Sequence, residues 1–303
     1  MERLGMSQGL QKRLESIQQA VGMKASGSGD LQNQLESHQT TPIATSDART
    51  DKPVCPLGKC DGSSFVPKTD AEGVERYGYC ECRKLLAMQS KMRFAEIPEE
   101  FRELKVSDFN IAMYSNHNRK IAETVKKIAI GYINNFSTMR EMGKGLYLYG
   151  ETKGSGKTRL AISIGNALIR RHNQSVRFVT TVNLIDEIKG TFDNKANRGG
   201  EETYSGLIKA AKEVDVLILD DFGTEKPTSW VNEIFYSILN DRMTAKKITL
   251  FTSNCRVEDL LHDRRLVNRI ERMATPIKFP EESVRSILAQ QENEEVMKIL
   301  LGG

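Results

Sequence analysis

Residues 145–158 read GLYLYGETKGSGKT, an apolar strand-like run that enters a glycine-rich turn and closes on Lys157-Thr158. No other stretch constrains the fold as strongly, because it demands a strand, a tight turn and a helix in immediate succession. Glycines let the backbone turn sharply, so that successive amide N–H groups point inward at an anion while the following helix adds the positive end of its dipole. Leu160, Ala161, Ile164, Ala167 and Leu168 recur at helical spacing behind the turn and supply that helix. In such a loop Lys157 reaches the β- and γ-phosphates of a nucleotide and the Thr158 hydroxyl holds Mg²⁺. The spacing departs from the usual glycine, four residues, then Gly-Lys-Ser/Thr. Glu151 stands where the first glycine belongs, and five residues separate Gly150 from Gly156. Either the loop bulges at the surplus residue, with Glu151 pointing away from the phosphates, or nucleotide affinity is tuned down.

The rest of the chain fits an α/β protein with small additions at its N-terminal end. At 303 residues, 39% hydrophobic and 28% charged, the composition is that of a globular protein with a core of ordinary size. No apolar run approaches the roughly 20 residues of a membrane span and the N-terminus lacks a signal-peptide core, so the expectation is a cytoplasmic chain with no membrane contact. A net charge of +4 permits nucleic-acid contact without arguing for it. Leu10, Leu14, Ile17 and Val21 lie four, three and four apart, predicting an amphipathic helix over residues 1–23 that docks on its own chain or on a partner. Residues 24–52 lose all periodicity and read as a flexible linker.

Residues 53–92 form a separate cysteine-rich unit. Cys55 and Cys60, then Cys80 and Cys82, make two close pairs beside Gly or Pro, with SFVPKT and GVERYGYC between them suited to a short hairpin. Two such pairs about twenty residues apart resemble the knuckles of a four-thiolate Zn²⁺ site. Reduced cysteines in a loop-rich unit are the alternative, with Cys82 beginning the next helix. Cys255 stands apart and reads as a thiol without chemistry.

Residues 93–303 alternate helices and strands. A helix over about Arg119–Thr138 precedes the loop strand, and the apolar runs at 145–149, 176–180, 216–221, 248–254 and 275–279 predict a five-stranded parallel sheet. Ligands bind outside the carboxyl ends of such strands. Asp220 and Asp221 end VLILDD, where one carboxylate can meet Mg²⁺ or Thr158 and its neighbour can orient an attacking water, an arrangement of Walker B type; a turn is the alternative. Asn254 ends TSN and can position that water. Arg265, Arg269 and Arg272 share a helical face, either a solvated stripe or a donor to a neighbour's nucleotide, and Arg285 opens a last helix from which it can reach a phosphate in its own subunit.

Taken together, GSGKT, LILDDFG, TSN and RRLVNRI resemble the Walker A, Walker B, sensor 1 and arginine-finger motifs of AAA+ ATPases, and more closely those of the DnaC/DnaI/IstB group of helicase loaders. The resemblance covers about Phe94 to Arg285 and extends more weakly to the cysteine segment. It implies an AAA+ P-loop NTPase domain without a full helical lid, binding ATP through Gly154, Ser155, Gly156, Lys157, Thr158 and Arg159. It further implies Mg²⁺ on Thr158 and Asp220, water activation by Asp221, sensor 1 at Asn254, a finger at Arg269 acting in trans and sensor 2 at Arg285. The implied partners are a hexameric replicative helicase, single-stranded DNA and further copies of the chain, with hydrolysis as a switch. Two alternatives remain: a transposition accessory ATPase of the IstB kind, and a zinc-dependent adaptor that does not hydrolyse ATP.

Overall fold

Strands made of unbroken apolar residues have no face to offer to water, so both faces of their sheet need covering. The computed structural model describes residues 55–69, 73–193 and 204–301. The expected N-terminal helix (1–23) and linker (24–52) lie outside those residues. The described chain opens on a hairpin, β1 (Phe65–Thr69) and β2 (Glu75–Tyr79), antiparallel with Phe65 opposite Tyr79. Helix α1 (Cys82–Phe94) follows, then three single turns of 3₁₀ helix between Glu99 and Met113. Next come α2 (Asn116–Asn134), α3 (Phe136–Met142), β3 (Gly145–Tyr149), α4 (Lys157–His172), β4 (Val176–Thr180), α5 (Thr181–Asp193) and α6 (Tyr204–Glu213). The chain ends with β5 (Val216–Phe222), α7 (Ser229–Thr244), β6 (Ile248–Ser253), α8 (Arg264–Met273), β7 (Ala274–Lys278) and α9 (Val284–Leu300).

The five sheet strands are parallel, in the order β4-β5-β6-β3-β7, with β3 between β6 and β7. Alternate side chains divide between two cores. Val216 and Ile218 of β5 join Leu146, Leu148, Ile248 and Leu250 beneath α1, α2 and α4. Leu217 and Leu219 join Tyr147, Val179 and Phe251 beneath α5 to α8. The result is a three-layer α/β/α sandwich whose five strands fall on the five apolar runs of the sequence, β7 starting one residue earlier than expected. Only a glycine can open β3, because a Cβ on Gly145 would lie 1.8 Å from the Thr249 carbonyl oxygen of β6. The single helix expected over Arg119–Thr138 is instead two. Asn135 interrupts it, its side-chain amide donating to the Gly131 carbonyl at 2.8 Å, and Gly143 then ends α3 with φ of +66°.

Cys82 is both the last of the cysteine cluster and the first residue of α1. The far end of that helix carries Met92 and the following Ala95 and Ile97 into the core under α4. No described helix is long and apolar enough to cross a membrane.

Arg242 of α7 is fully buried, and its guanidinium is used on all sides. It donates to the carbonyls of Ala211, Lys212 and Val214 at the C-terminal end of α6 (2.7, 3.3 and 2.8 Å), to Ile248 O of β6 (2.5 Å) and to Thr249 Oγ1 (3.0 Å). A cation at a helix C-terminus satisfies carbonyls that have no partner within the helix. Arg242→Ala strands these acceptors and opens a cavity, so urea unfolding is expected to show a loss of about 3–5 kcal/mol. Arg242→Lys, lacking the planar fork, should recover less than half of it.

Candidate functional site

The loop after β3 and the tips of β5 and β6 meet at the carboxyl edge of the sheet. Gly154 and Gly156 hold φ of +77° and +96°, conformations that side chains resist, and Gly156 leads directly into α4. Three neighbours hold this loop. Tyr114 donates its hydroxyl to the Ser155 carbonyl (2.7 Å), the amide of Arg285 donates to the Gly154 carbonyl (3.2 Å), and the Glu281 carboxylate accepts from the amides of Glu151 (3.2 Å) and Thr152 (2.8 Å). Ser155 and Lys157 are buried, whereas Glu151 and Lys153 face solvent. The surplus residue therefore sits on the outside of the turn, with Glu151 exposed to solvent.

Lys157 Nζ is turned into its own loop, donating to the carbonyls of Gly150 (2.8 Å) and Thr152 (3.0 Å). Burial holds its pKa below the ordinary lysine value, opposed by the negative charges of Asp221, Glu281 and Asp220. Asp220 is 4% exposed and accepts from Thr252 Oγ1 at 2.6 Å. Burial raises its pKa above the usual carboxylate range, against hydrogen bonds from Thr252 and Thr158 and the charge of Lys157. That contact joins Thr158 to Asp220. Asp221 is exposed, with φ of +54°. Its amide donates to Thr252 Oγ1 (2.9 Å), and its carbonyl accepts from the Thr181 (3.2 Å) and Thr224 (2.8 Å) hydroxyls. Behind it, buried Glu225 accepts from Thr181 (2.8 Å) and pairs with buried His262 (2.8 Å). Burial opposes ionisation of Glu225, but the His262 and Thr181 contacts outweigh it and leave its pKa below the usual value.

Asn254 is half-buried immediately after β6, and Arg285, exposed, sits in the first turn of α9. Arg159 lies on the exposed side of α4 with its guanidinium 5.7 Å from the Phe101 ring centre. The arginine face of α8 is not a free stripe. Arg269 donates to Tyr236 Oη (2.9 Å) and Asn240 Oδ1 (3.2 Å) of α7, and Arg265 pairs with Asp263 (3.0 Å) near the same tyrosine ring. The structure thus brings together the loop, Thr158, Asp220 and Asp221, with Asn254 at the next strand tip and Arg285 across the loop. Arg269 is on the α7–α8 side. Sequence reasoning missed Tyr114, Thr252 and Glu281. Thr252 stood inside the TSN run two residues before Asn254, and Glu281 in the acidic pair just after the last strand.

The four clustered cysteines also converge, their sulfurs all within 4.8 Å of one another. Cys55 and Cys80 lie 4.0 Å apart and Cys60 and Cys82 3.6 Å, bracketing the ~3.8 Å edge of a tetrahedron with Zn–S bonds of about 2.3 Å. Burial pushes the Cys82 thiol up to about 12. At Cys55 burial also opposes ionisation, but amide donors from Leu57, Cys60 and Lys59 overcome it and lower the thiol to about 6. Those amides are aimed at Cys55 sulfur, and four sulfurs at these separations form a donor set that fits a tetrahedral metal ion such as zinc.

The chain is 32% identical over 158 residues to the replicative helicase loader DnaI of Bacillus subtilis (strain 168), covering 47% of this chain and 48% of that protein. It is 26% identical over 171 residues to the replicative helicase loader DnaC of Buchnera aphidicola subsp. Schizaphis graminum, covering 56% of this chain and 63% of that one. The match thus spans about half the length of the first relative and under two thirds of the second. A crystal structure of DnaI aligns over 60% of this chain and 94% of that chain, at 30% identity and a TM-score of 0.49. The family described as IstB-like ATP binding protein matches residues 80–276. That span takes in the glycine loop, both aspartates and nearly the whole parallel sheet, and the chain belongs to the family of IstB-like ATP binding proteins, as its resemblance to the DnaC/DnaI/IstB group implied.

Proposed function

We propose that this chain is an ATP-dependent loader of a replicative DNA helicase, with hydrolysis acting as the switch. The observation that carries the reading is the convergence of Lys157, Thr158, Asp220 and Asp221 in one cleft, in a chain whose relatives are named replicative helicase loaders. The amides of Gly154 to Thr158 would cradle the phosphates, and Lys157 would exchange the Gly150 and Thr152 carbonyls for phosphate oxygens. Bound Mg²⁺ would neutralise charge on the β- and γ-oxygens. Thr158 and Asp220 are the residues that would hold it, and the raised pKa of Asp220 would fall as the cation arrived.

Asp221 would orient the attacking water. Its left-handed backbone, tied by Thr252, Thr181 and Thr224, fixes where that carboxylate projects. Asn254 would share the water from the next strand, while Arg285 would meet the γ-phosphate across the loop. Arg269 would act on the nucleotide of a second copy of the chain, and would first have to leave Tyr236 and Asn240. Single-stranded DNA and the helicase hexamer complete the proposed set of partners. Zinc in the cysteine cluster would fold the hairpin unit, which is too small to be stable on apolar burial alone.

Hydrolysis assays with single-stranded DNA test the site. Lys157→Ala and Asp221→Asn should each lower turnover by at least about 100-fold. Arg269→Ala should do the same alone yet regain activity when mixed with Lys157→Ala, since each chain supplies what the other lacks; an inert mixture argues against action in trans. A pull-down with purified replicative helicase, with and without ATP, tests the partner, and failure to form any complex defeats the loader reading. Metal analysis of the purified chain should return about one zinc per chain. Cys60→Ser or Cys82→Ser should abolish it and lower the melting temperature, and an unchanged melt would defeat the zinc proposal.

A further inference from the structure

The glycine loop is one residue longer than the pattern it otherwise follows, and the residues that absorb the excess are all visible. Between Gly150 and Gly156 stand Glu151, Thr152, Lys153, Gly154 and Ser155. The last two enter the loop proper, with Ser155 buried and its carbonyl held by Tyr114. The first three form an outer turn whose two leading amides need acceptors. Both amides are taken by the one carboxylate of Glu281, Oε1 on Glu151 N–H at 3.2 Å and Oε2 on Thr152 N–H at 2.8 Å.

The carboxylate is placed by a segment that is itself fixed on both sides. Phe279 donates its amide to the Tyr149 carbonyl at 2.7 Å, extending the pairing of β7 with β3 to the residue before the loop. Glu281 donates its own amide to Asn118 Oδ1 (3.2 Å), and Glu282 accepts from Ser115 N–H (2.8 Å) and Oγ (2.9 Å) and from Asn118 Nδ2 (3.1 Å) at the start of α2. Three residues on, the Arg285 amide holds the Gly154 carbonyl. Residues 279–285 thus follow the loop from its strand to its inner glycine. The two amide bonds also hold the Glu281 carboxyl below the usual range although burial opposes its ionisation, so the carboxylate is the form that binds the turn.

We propose that Glu281 is a positioning residue for the nucleotide site: it folds the surplus residue into an outer turn and so lets Gly154 to Thr158 keep the shape of an ordinary phosphate loop. The proposal rests on the reading of this cleft as an ATP site. Glu281 itself makes no contact with the reacting atoms; it acts through the backbone of the loop. Its loss therefore falls on how well ATP is held and not on the hydrolytic step.

The test uses the full chain, with mant-ATP binding and steady-state hydrolysis measured in parallel. Glu281→Ala is expected to raise the Kd for mant-ATP and the KM for ATP about tenfold while kcat stays within about twofold. Glu281→Gln, which keeps one acceptor and turns an NH2 donor toward the other amide, should recover only part of the affinity. Deleting Lys153 restores the four-residue spacing, and in that background Glu281→Ala should have no effect on binding. A full-length Glu281→Ala chain that binds as tightly as the unaltered chain overturns the proposal, as does an equal loss in the shortened background, which would mean a role independent of the extra residue. A shortened chain unable to bind mant-ATP would make the fifth residue part of the cradle and overturn it too. Should Glu281→Ala not fold, Glu281→Asp, too short to span both amides, carries the same expectation. Lys157→Ala serves as the control on the underlying reading. If the unaltered chain and Lys157→Ala bind mant-ATP equally, the cleft is not an ATP site and both readings fall.

Discussion

Burial of the parallel sheet on both faces decides where chemistry can occur in this chain. Side chains of β3, β5 and β6 alternate between two apolar cores, so a polar group within a strand has no water and few partners. The polar residues of the site therefore stand at the carboxyl ends of the strands. There the chain turns into loops, backbone amides come free, and Asp220, Asp221 and Asn254 line up with the glycine loop across β3, β5 and β6. The same constraint explains Thr252, which is fully buried at its strand tip and resolves its polarity by bonding both aspartates' positions at once, accepting from the Asp221 amide and donating to the Asp220 carboxylate.

The cleft is electrostatically self-contained. Lys157 is desolvated and would lose its proton more easily than usual; Asp220 is desolvated and would gain one more easily. Each shift is opposed in part: at Lys157 by the charges of Asp221, Glu281 and Asp220, and at Asp220 by hydrogen bonds from Thr252 and Thr158 and by the charge of Lys157.

Much of this was legible from the sequence because period and punctuation are local signals. Continuous apolar runs gave all five strands, and the hairpin between the cysteine pairs follows from its flanking Gly and Pro. The polar ends of the strands located Asp220, Asp221 and Asn254. What escaped depends on contacts distant along the chain. Glu281 meets residues 130 positions away and Tyr114 meets Ser155 41 away, and nothing in their local patterns marks either as a support for the loop. The break at Asn135 escaped for a different reason: apolar residues continue at helical spacing through it, while the Asn135 backbone leaves the helical conformation and its side chain bonds back to Gly131. Arg269 sat on the expected helical face, but periodicity assigns a direction without saying what stands opposite, here Tyr236 and Asn240.

The residue just after α1 has a bearing on how copies of the chain can meet. Ala95 gives its carbonyl to the amide of Phe178 on β4 at 2.8 Å, and Arg177 beside it pairs with Glu96 at 3.0 Å, so the outer margin of β4 is already occupied. At the opposite margin, β7 carries Pro276, which has no amide proton to offer. With both borders blunted in this way, the sheet resists growing by addition of a strand from another molecule, the route that leads to aggregation.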